Sequence, residues 1–599
     1  MKFRKSIMTL AIASTMQPVF AVENTNQDEI IVTATRTAQS VDDTMAAVTV
    51  ITREEIDASM ATTLPELLSG YPGIDFAIAG GTGKDTQLFI RGTNDGHSLI
   101  LIDGVQVGSA TTGDSNIQHI PLEQVERIEI VRGTRSSLYG SEAIGGVIHI
   151  FTRPGSETLK LYANLEAGSA AHRNLSAGLS NKQGSTRYQL SLSKLETDGI
   201  HARADKNLDL DGYVSDSMSL GTDTRISNSA RLQLNLLQTE GRNWYDGTTA
   251  SKDYYTDFVQ NTLSANYQHA ISDNWNSKLS LGQHKTNKDA FTDDVEGSKY
   301  VTSRRSVNWQ NDIAISDASL LTVGLDTKVE DITSKSTDSY PTKQRDVTGV
   351  FIQEQFQTSL IDINASIRSD QYSDFGTHST GSLTMGKALN SALRGFVSYG
   401  TAFKAPTMNQ LFSSVGNQDL KPEEASSTEL GLNHRSGTSK TELSLYQTDI
   451  KNLIEYDSGP KTYIQTEQAN IQGMEFGYSN KLGQWGLGLS ASLINPRNSA
   501  TQTILRRRAQ ASYKLDLSRQ FSRTSVSISL LHQGERYDDA DNTTLLEAYS
   551  LINLRGSFRI SRNMALHARI DNLTDQQYQI RSDYYTQGTS GYLGINYKM

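Results

Sequence analysis

Over much of this chain apolar and polar residues alternate with a period of two. Tyr188, Leu190 and Leu192 alternate with Gln189 and Ser191, Leu232, Leu234 and Leu236 with Gln233 and Asn235, and Leu443 and Leu445 flank Ser444. The same period returns in Ile361, Ile363, Ala365 and Ile367, in Val526, Ile528 and Leu530, and in Leu566, Ala568 and Ile570. Successive side chains of a strand point to opposite faces, so each segment predicts a strand with one apolar face. In a soluble sandwich those faces share a core, whereas in a membrane barrel they meet lipid and the polar face lines the lumen. Periodicity alone does not separate the two.

Residues 35–155 follow a different pattern. Ile51–Ile56 and Thr63–Leu68 read as helical turns, the second with Thr63 as N-cap and Glu66 placed as in a capping box. Leu88–Gly92, Ser98–Val105 and Val125–Gly133 read as strands, glycines ending two of them and Gly104 interrupting the other. The segment predicts a small α+β unit. Ahead of it, Asp28-Glu29-Ile30-Ile31-Val32-Thr33-Ala34 forms a short apolar-acidic stretch with no partner strand nearby in sequence, a candidate handle for another protein.

Three features tilt the balance toward a barrel: an export signal, the number of such segments, and Tyr or Trp near strand ends. Lys2, Arg4 and Lys5 precede the apolar run Ile7–Ala13, and Ala21 offers a small residue for cleavage, which predicts a signal peptide over residues 1–21. Its removal takes the net charge from −10 to −13, against a nucleic-acid partner, which needs a basic surface. No later apolar run reaches the roughly 18–20 residues of a membrane helix. With 46 Gly, 25 Tyr and only 10 Pro in 599 residues, the composition suits turns and interface aromatics. Tyr267, Trp275, Trp309, Tyr399, Tyr478 and Trp485 lie near strand ends, where a membrane interface would hold them. The chain has no Cys, so neither disulfides nor thiolate metal sites contribute. A strand structure in lipid must pair every backbone group, which only a closed barrel does. At about 20 residues per strand and loop, residues 156–599 predict on the order of 22 antiparallel strands. The predicted fold is an all-β transmembrane barrel with the α+β unit as a plug in its lumen.

Several motifs then carry a resemblance. Ile90-Arg91-Gly92, Leu101–Val105, Val125–Gly133 and Leu138–Ile148, taken with residues 28–34, are similar to the plug motifs of TonB-dependent outer-membrane transporters. The resemblance continues through Tyr399–Pro406, Leu420–Glu423 and Asp571–Tyr578 and so spans the mature chain. Two departures are visible: Thr134 stands where the family usually has Pro, and the chain ends in Met599 instead of an aromatic residue, although Leu593, Ile595, Tyr597 and Met599 still alternate.

The resemblance implies a division into a signal peptide at 1–21, a periplasmic N-terminus at 22–34, a plug at 35–155 and a barrel at 156–599. It implies that Asp28, Glu29, Ile30, Ile31, Val32, Thr33 and Ala34 form a TonB box, added as a strand to TonB, which is powered by ExbB and ExbD in the inner membrane. Arg91, Arg132, Glu429 and Glu475 match the family's cluster tying plug to wall, a latch whose buried charges persist only when paired. Within the family the likeness is to the cobalamin-transporting members. Gly80–Asn94 resembles their first plug loop and Gly108–Asn116 their second, which implies Lys84, Asp85, Thr86, Gln87, Thr111 and Thr112 as ligand contacts beneath a corrinoid. Tyr245, Arg506 (or Arg507) and Tyr585, with Gln587, fall where those members present wall contacts. Asp205, Asp209, Asp211, Tyr245, Asp246 and Asp253 correspond to hairpin ligands of Ca2+, and hard oxygens suit that ion. His201 stands where an upstream Asp is expected, and Asp205 is the candidate replacement.

Three function classes follow: a cobalamin transporter, a TonB-dependent receptor for a ferric siderophore or other metal chelate, and a passive porin. A porin needs neither plug nor TonB box. No G-x-S-x-G, His-Glu-x-x-His or Walker loop occurs, so no catalytic constellation is predicted. The expectation is transport across an outer membrane of a Gram-negative cell, with lipid around the barrel.

Overall fold

The computed structural model describes residues 30–31, 36–37, 39–40, 43–203, 205–206, 209–247, 249–335, 340, 343–457 and 460–599. The expected signal peptide lies outside them, as do Asp28, Glu29, Val32, Thr33 and Ala34 of the expected TonB box.

The plug is built on a mixed five-stranded sheet ordered Val48–Ile51, Val125–Arg132, Gly146–Thr152, Ser98–Ile102, Val105–Gln106. Ser98–Ile102 and Gly146–Thr152 run parallel, and the other pairs are antiparallel. One face of this sheet is buried by two short helices, Arg53–Ser59 and Leu64–Leu68, through Ile56, Leu64, Leu67 and Leu68 packed on Ile128, Ile130 and Ile148. The first helix carries a full capping box, Thr52 with Glu55. At the second, the expected box is altered. Thr63 Oγ1 accepts from Glu66 N at 3.3 Å, but the Glu66 carboxylate turns back one residue further, to Thr62 N at 3.0 Å. Ile51 belongs to a strand and not to the helix, because its side chain joins the sheet core. A separate hairpin, Ile74–Ile78 with Thr86–Ile90, rises from the sheet and carries residues 79–85 at its tip.

Around the plug, among the described residues, 22 antiparallel strands from Lys160–Gly168 to Ser590–Lys598 close into a barrel. The closing seam pairs Tyr162 with Lys598 through Gly168 with Tyr592. The period of two is read out as expected: Gln189 and Ser191 are buried against the lumen while Leu192 is 51% exposed on the outer wall. Leu165, Leu234, Leu263, Val350, Ile367 and Leu445 share that outer face. Such a belt of exposed aliphatic residues is what a barrel presents to lipid. No helix among the described residues is long and apolar enough to cross a membrane; the strands cross. Up to 22 residues long, they exceed the roughly 9–11 residues a crossing requires and so extend beyond it. At the chain end, Leu593, Tyr597 and Met599 are exposed, keeping the outward alternation despite the missing terminal aromatic.

The stretch expected to lack a nearby partner has one. Ile30–Ile31 pairs antiparallel with Gln39–Ser40, a hairpin joined by the residues between them. Arg36, between the two strands in sequence, is bound to the barrel wall at Asp326.

Candidate transport site and plug anchorage

Where the plug meets the wall, the four expected latch residues converge. Arg91, at φ +53° just after the strand Thr86–Ile90, points sideways into the barrel, where Nε donates to Glu475 Oε1 at 2.9 Å and Nη2 to Glu429 Oε1 at 2.9 Å. Arg132 Nε donates to Glu475 Oε2 at 3.1 Å, and its Nη1 to Thr49 Oγ1 at 2.6 Å. Ser444 Oγ adds a bond to Glu429 at 2.9 Å, and the Arg91 guanidinium lies 4.2 Å over the Tyr446 ring. All four charged side chains are almost fully buried. Charges taken from water at this cost stay only because each is matched, so plug and wall are held in one register.

Three further anchors lie beyond the residues expected from sequence. Arg36 forms a bidentate pair with Asp326 at 3.0 and 3.2 Å and is stacked between Tyr139 and Phe351, so the chain just after residues 28–34 is tied to the wall. His97 lies 3.1 Å from Glu423, which also pairs with Lys404 at 3.2 Å. Arg508 reaches from the wall to Gly92 O at 3.1 Å and stacks on Phe89. Lys404 and Glu423 do sit inside the quoted barrel motifs, but Arg36 and Asp326 are 290 positions apart and share no local pattern.

The outward end of the plug is formed by residues 79–87 and 108–116. Asp85 is open to solvent and pairs with Arg581 at 3.0 Å. Gln87 is half-buried and accepts from Arg507 Nη1 at 3.1 Å. Thr112 is exposed, Tyr585 is 41% exposed, and Tyr245 and Arg506 are half-buried. Thr86 and Thr111 are buried: Thr86 donates to Lys84 O at 2.9 Å, and Thr111 O accepts from Asn409 N at 2.9 Å, under the loop helix Met408–Phe412. Burial, with the charge of Asp85 nearby, pushes the Asp114 carboxyl up. Lys84 departs from its expected role. It is 1% exposed, and its ammonium faces the wall, donating to Asn243 Oδ1 at 2.8 Å, Gly212 O at 3.0 Å and Thr82 O at 3.3 Å. Burial lowers its pKa, and Asp211 and Asp246 oppose that shift.

The hairpins expected to hold Ca2+ lie against this lysine. Asp211 Oδ2 accepts from Ala202 N and Asp246 Oδ2 from Arg203 N, both at 3.0 Å. Burial and the charge of Asp209 raise Asp246 above the ordinary carboxylate range. Asp205 is turned away, into Arg203 at 2.9 Å and Lys206 at 3.0 Å. Asp253 follows on the same hairpin, its backbone N–H donating to Asp293 at 3.0 Å. Ca2+ takes six to eight oxygens at about 2.3–2.6 Å. Among the described residues no three acidic or histidine side chains converge to hold a metal ion.

A plugged, closed 22-stranded barrel with an N-terminal strand on its inner side defines a class of outer-membrane receptor. The family model described as "TonB dependent receptor-like, beta-barrel" matches residues 187–573, and that for the TonB-dependent receptor plug domain matches residues 40–147. The chain belongs to the TonB-dependent receptors and is an outer-membrane protein. It is 32% identical over 616 residues to the vitamin B12 transporter BtuB of Vibrio cholerae, and 30% identical over 609 residues to that of Photobacterium profundum. In both cases 99% of this chain and 100% of the relative are covered. In fold it is similar to a mutant of the ferric enterobactin receptor PfeA of Pseudomonas aeruginosa, with a TM-score of 0.81 and 18% identity over 95% of this chain and 100% of that one. The siderophore receptor PirA of Acinetobacter baumannii gives a TM-score of 0.78 at 17% identity, over 92% of this chain and 98% of that one.

Proposed function

We infer that this chain is an active transporter that carries cobalamin and related corrinoids across the outer membrane, drawing energy through TonB, ExbB and ExbD and carrying out no covalent chemistry. The observation that carries the reading is the end-to-end likeness to relatives named vitamin B12 transporters, at 30–32% identity over 99% of the chain. A corrinoid would rest on Asp85, Gln87 and Thr112 and be flanked by Tyr245, Arg506 and Tyr585, the expected contacts that keep solvent access. Residues 28–34 would then be the point of attachment for TonB by strand addition, in competition with Gln39–Ser40. Force applied there would first load the tie of Arg36 to the wall at Asp326 and, once that yields, act on the plug and its ion cluster of Arg91, Arg132, Glu429 and Glu475.

A second reading, receptor for an anionic metal chelate such as a ferric siderophore, draws on Arg506, Arg507 and Arg581 near the same mouth. Equilibrium binding to the purified full-length protein separates the two. Saturable, one-to-one binding of cyanocobalamin is expected, undisturbed by an excess of ferric enterobactin. Tight binding of the ferric chelate with none of cyanocobalamin overturns the corrinoid reading.

A further inference from the structure

The short turns of the barrel lie at the end where the chain itself ends, with Lys598 paired to Asp57 of the first plug helix, and the long loops lie at the other, which puts the short turns at the inner leaflet. Three of these turns, 482–485, 520–524 and 559–564, follow one another around the wall and join neighbouring strands from Thr462–Leu482 to Met564–Asp571. Lys481, Arg519, Arg523, Arg559 and Arg562 stand in or beside them, all exposed, and residues 479–485, 517–526 and 557–566 contain no carboxylate. None of the five forms an ion pair with another described residue. The carboxylates next along the chain are engaged, Asp516 with Lys514 at 3.7 Å and Asp571 with Arg569 at 2.7 Å. Across the barrel the turns at 271–275, 315–319 and 356–362 are as apolar, with Ile271, Ile315 and Leu360 exposed, but they carry Asp273, Asp317 and Asp362 and no Lys or Arg. The unbalanced positive charge is therefore confined to one arc of the wall.

Arg519 stands opposite Trp485 in register and shares its outward face, the guanidinium lying 4.8 Å from the Trp485 ring and 4.8 Å from that of Phe521. Leu482, Trp485, Phe521, Phe558 and Ile560 are exposed here and carry the apolar belt down to the turns. Arg523 and Arg562 lie within the turns themselves. Lys481 and Arg559 alternate in phase with Glu475 and Arg555, which face the plug, and add their charge from the mouth of the barrel. Strands about 4.8 Å apart set successive turns about 10 Å apart, so the arc spans about 20 Å. A guanidinium without a counter-ion, bordered by exposed rings, suits a ligand that is a phosphate at one end and hydrocarbon at the other. We propose that these three turns bind an anionic phospholipid of the inner leaflet, its phosphate held by Arg519, Arg523 and Arg562 and its acyl chains laid against Leu482, Trp485 and Phe521. Continuity with the lipid belt and the outward face of Arg519 favour a lipid over an acidic protein, which would meet the mouth and not the wall.

Fluorescence quenching by brominated lipids tests this, because the 4 Trp of the chain include Trp485 in the basic arc and Trp275 in the acidic one. The full-length protein is placed in phosphatidylcholine vesicles with a minor share of phosphatidylglycerol, the bromine being carried by one lipid or the other. With Trp244→Phe, Trp275→Phe and Trp309→Phe, Trp485 alone should be quenched about threefold more per molecule by brominated phosphatidylglycerol than by brominated phosphatidylcholine, since anionic headgroups gather at basic clusters. A variant keeping Trp275 alone should show no preference. Adding Arg519→Gln, Arg523→Gln and Arg562→Gln to the Trp485 protein should remove the preference there. Equal quenching of Trp485 by the two lipids overturns the proposal, and this arm needs no arginine variant to fold. A preference that survives the three arginine changes, or appears equally at Trp275, overturns it too. Binding of polyglutamate through these arginines, with no lipid preference at Trp485, would assign the arc to an acidic protein instead and equally overturns it.

Discussion

At the scale of single residues, the buried charges between plug and wall decide how firmly the lumen is closed. Arg91 faces two carboxylates at once, so Arg91→Ala leaves Glu429 and Glu475 buried with less than their due counter-charge. Breaking one side of such a cluster costs about 3–5 kcal/mol, which urea-dependent exposure of the plug to protease should show as an earlier transition, the barrel remaining folded. Gly83→Ala acts differently. Its methyl would collide with Tyr213 at a backbone conformation already unfavourable for a side chain, so the plug tip should shift and cyanocobalamin affinity fall about tenfold or more in equilibrium binding. Part of this is legible in the chain and part is not. Arg91, Arg132, Glu429 and Glu475 come together as the motifs imply, although Arg91 and Glu475 are 384 positions apart. Lys84 reads as a ligand contact because it lies in an outward glycine-rich loop. What turns it inward is Tyr213 and Asn243 across the lumen, partners no local pattern names. The carboxylates of 205–253 are legible as a cluster in sequence, yet Asp205 pairs with Arg203, and Asp253 meets Asp293 through its backbone N–H alone.

At the scale of elements, strand periodicity is the most legible feature, because the outer wall admits apolar side chains at every second position whatever the loops do. Short helices are less so. Thr52-Arg53-Glu54-Glu55 forms the complete capping box, whereas the equally suggestive pair Thr63 and Glu66 forms only half of one, because Thr62 takes the reciprocal bond. The hairpin of Ile30–Ile31 with Gln39–Ser40 carries its own test. A proline at Ile31 removes a backbone donor from the strand proposed to join TonB, so Ile31→Pro should leave corrinoid binding intact and abolish uptake of radiolabelled cyanocobalamin. Unchanged uptake would reject the coupling role of residues 28–34. Ser40→Pro weakens the competing internal partner instead, and should increase capture of the receptor by the soluble domain of TonB.

At the scale of the whole molecule, lipid and lumen impose opposite demands on the same strand. Leu192→Arg places a charge on the outer wall beside buried Gln189 and Ser191. If Leu192 sits at the depth of the bilayer midplane, the barrel should lose about 2–4 kcal/mol in unfolding from lipid vesicles, whereas the same change near an interface should cost about 0–1 kcal/mol. The barrel wall is also joined end to end at one place. Leu161 and Met599 exchange backbone bonds, Met599 O accepting from Leu161 N at 3.1 Å and Leu161 O from Met599 N at 2.8 Å. The strand Lys160–Gly168 finds its second neighbour only in Ser590–Lys598, so the cylinder cannot close until that last strand is in place. Loss of even the last strand would leave two sticky edges in place of none, a chain that meets its membrane as a sheet and not as a tube.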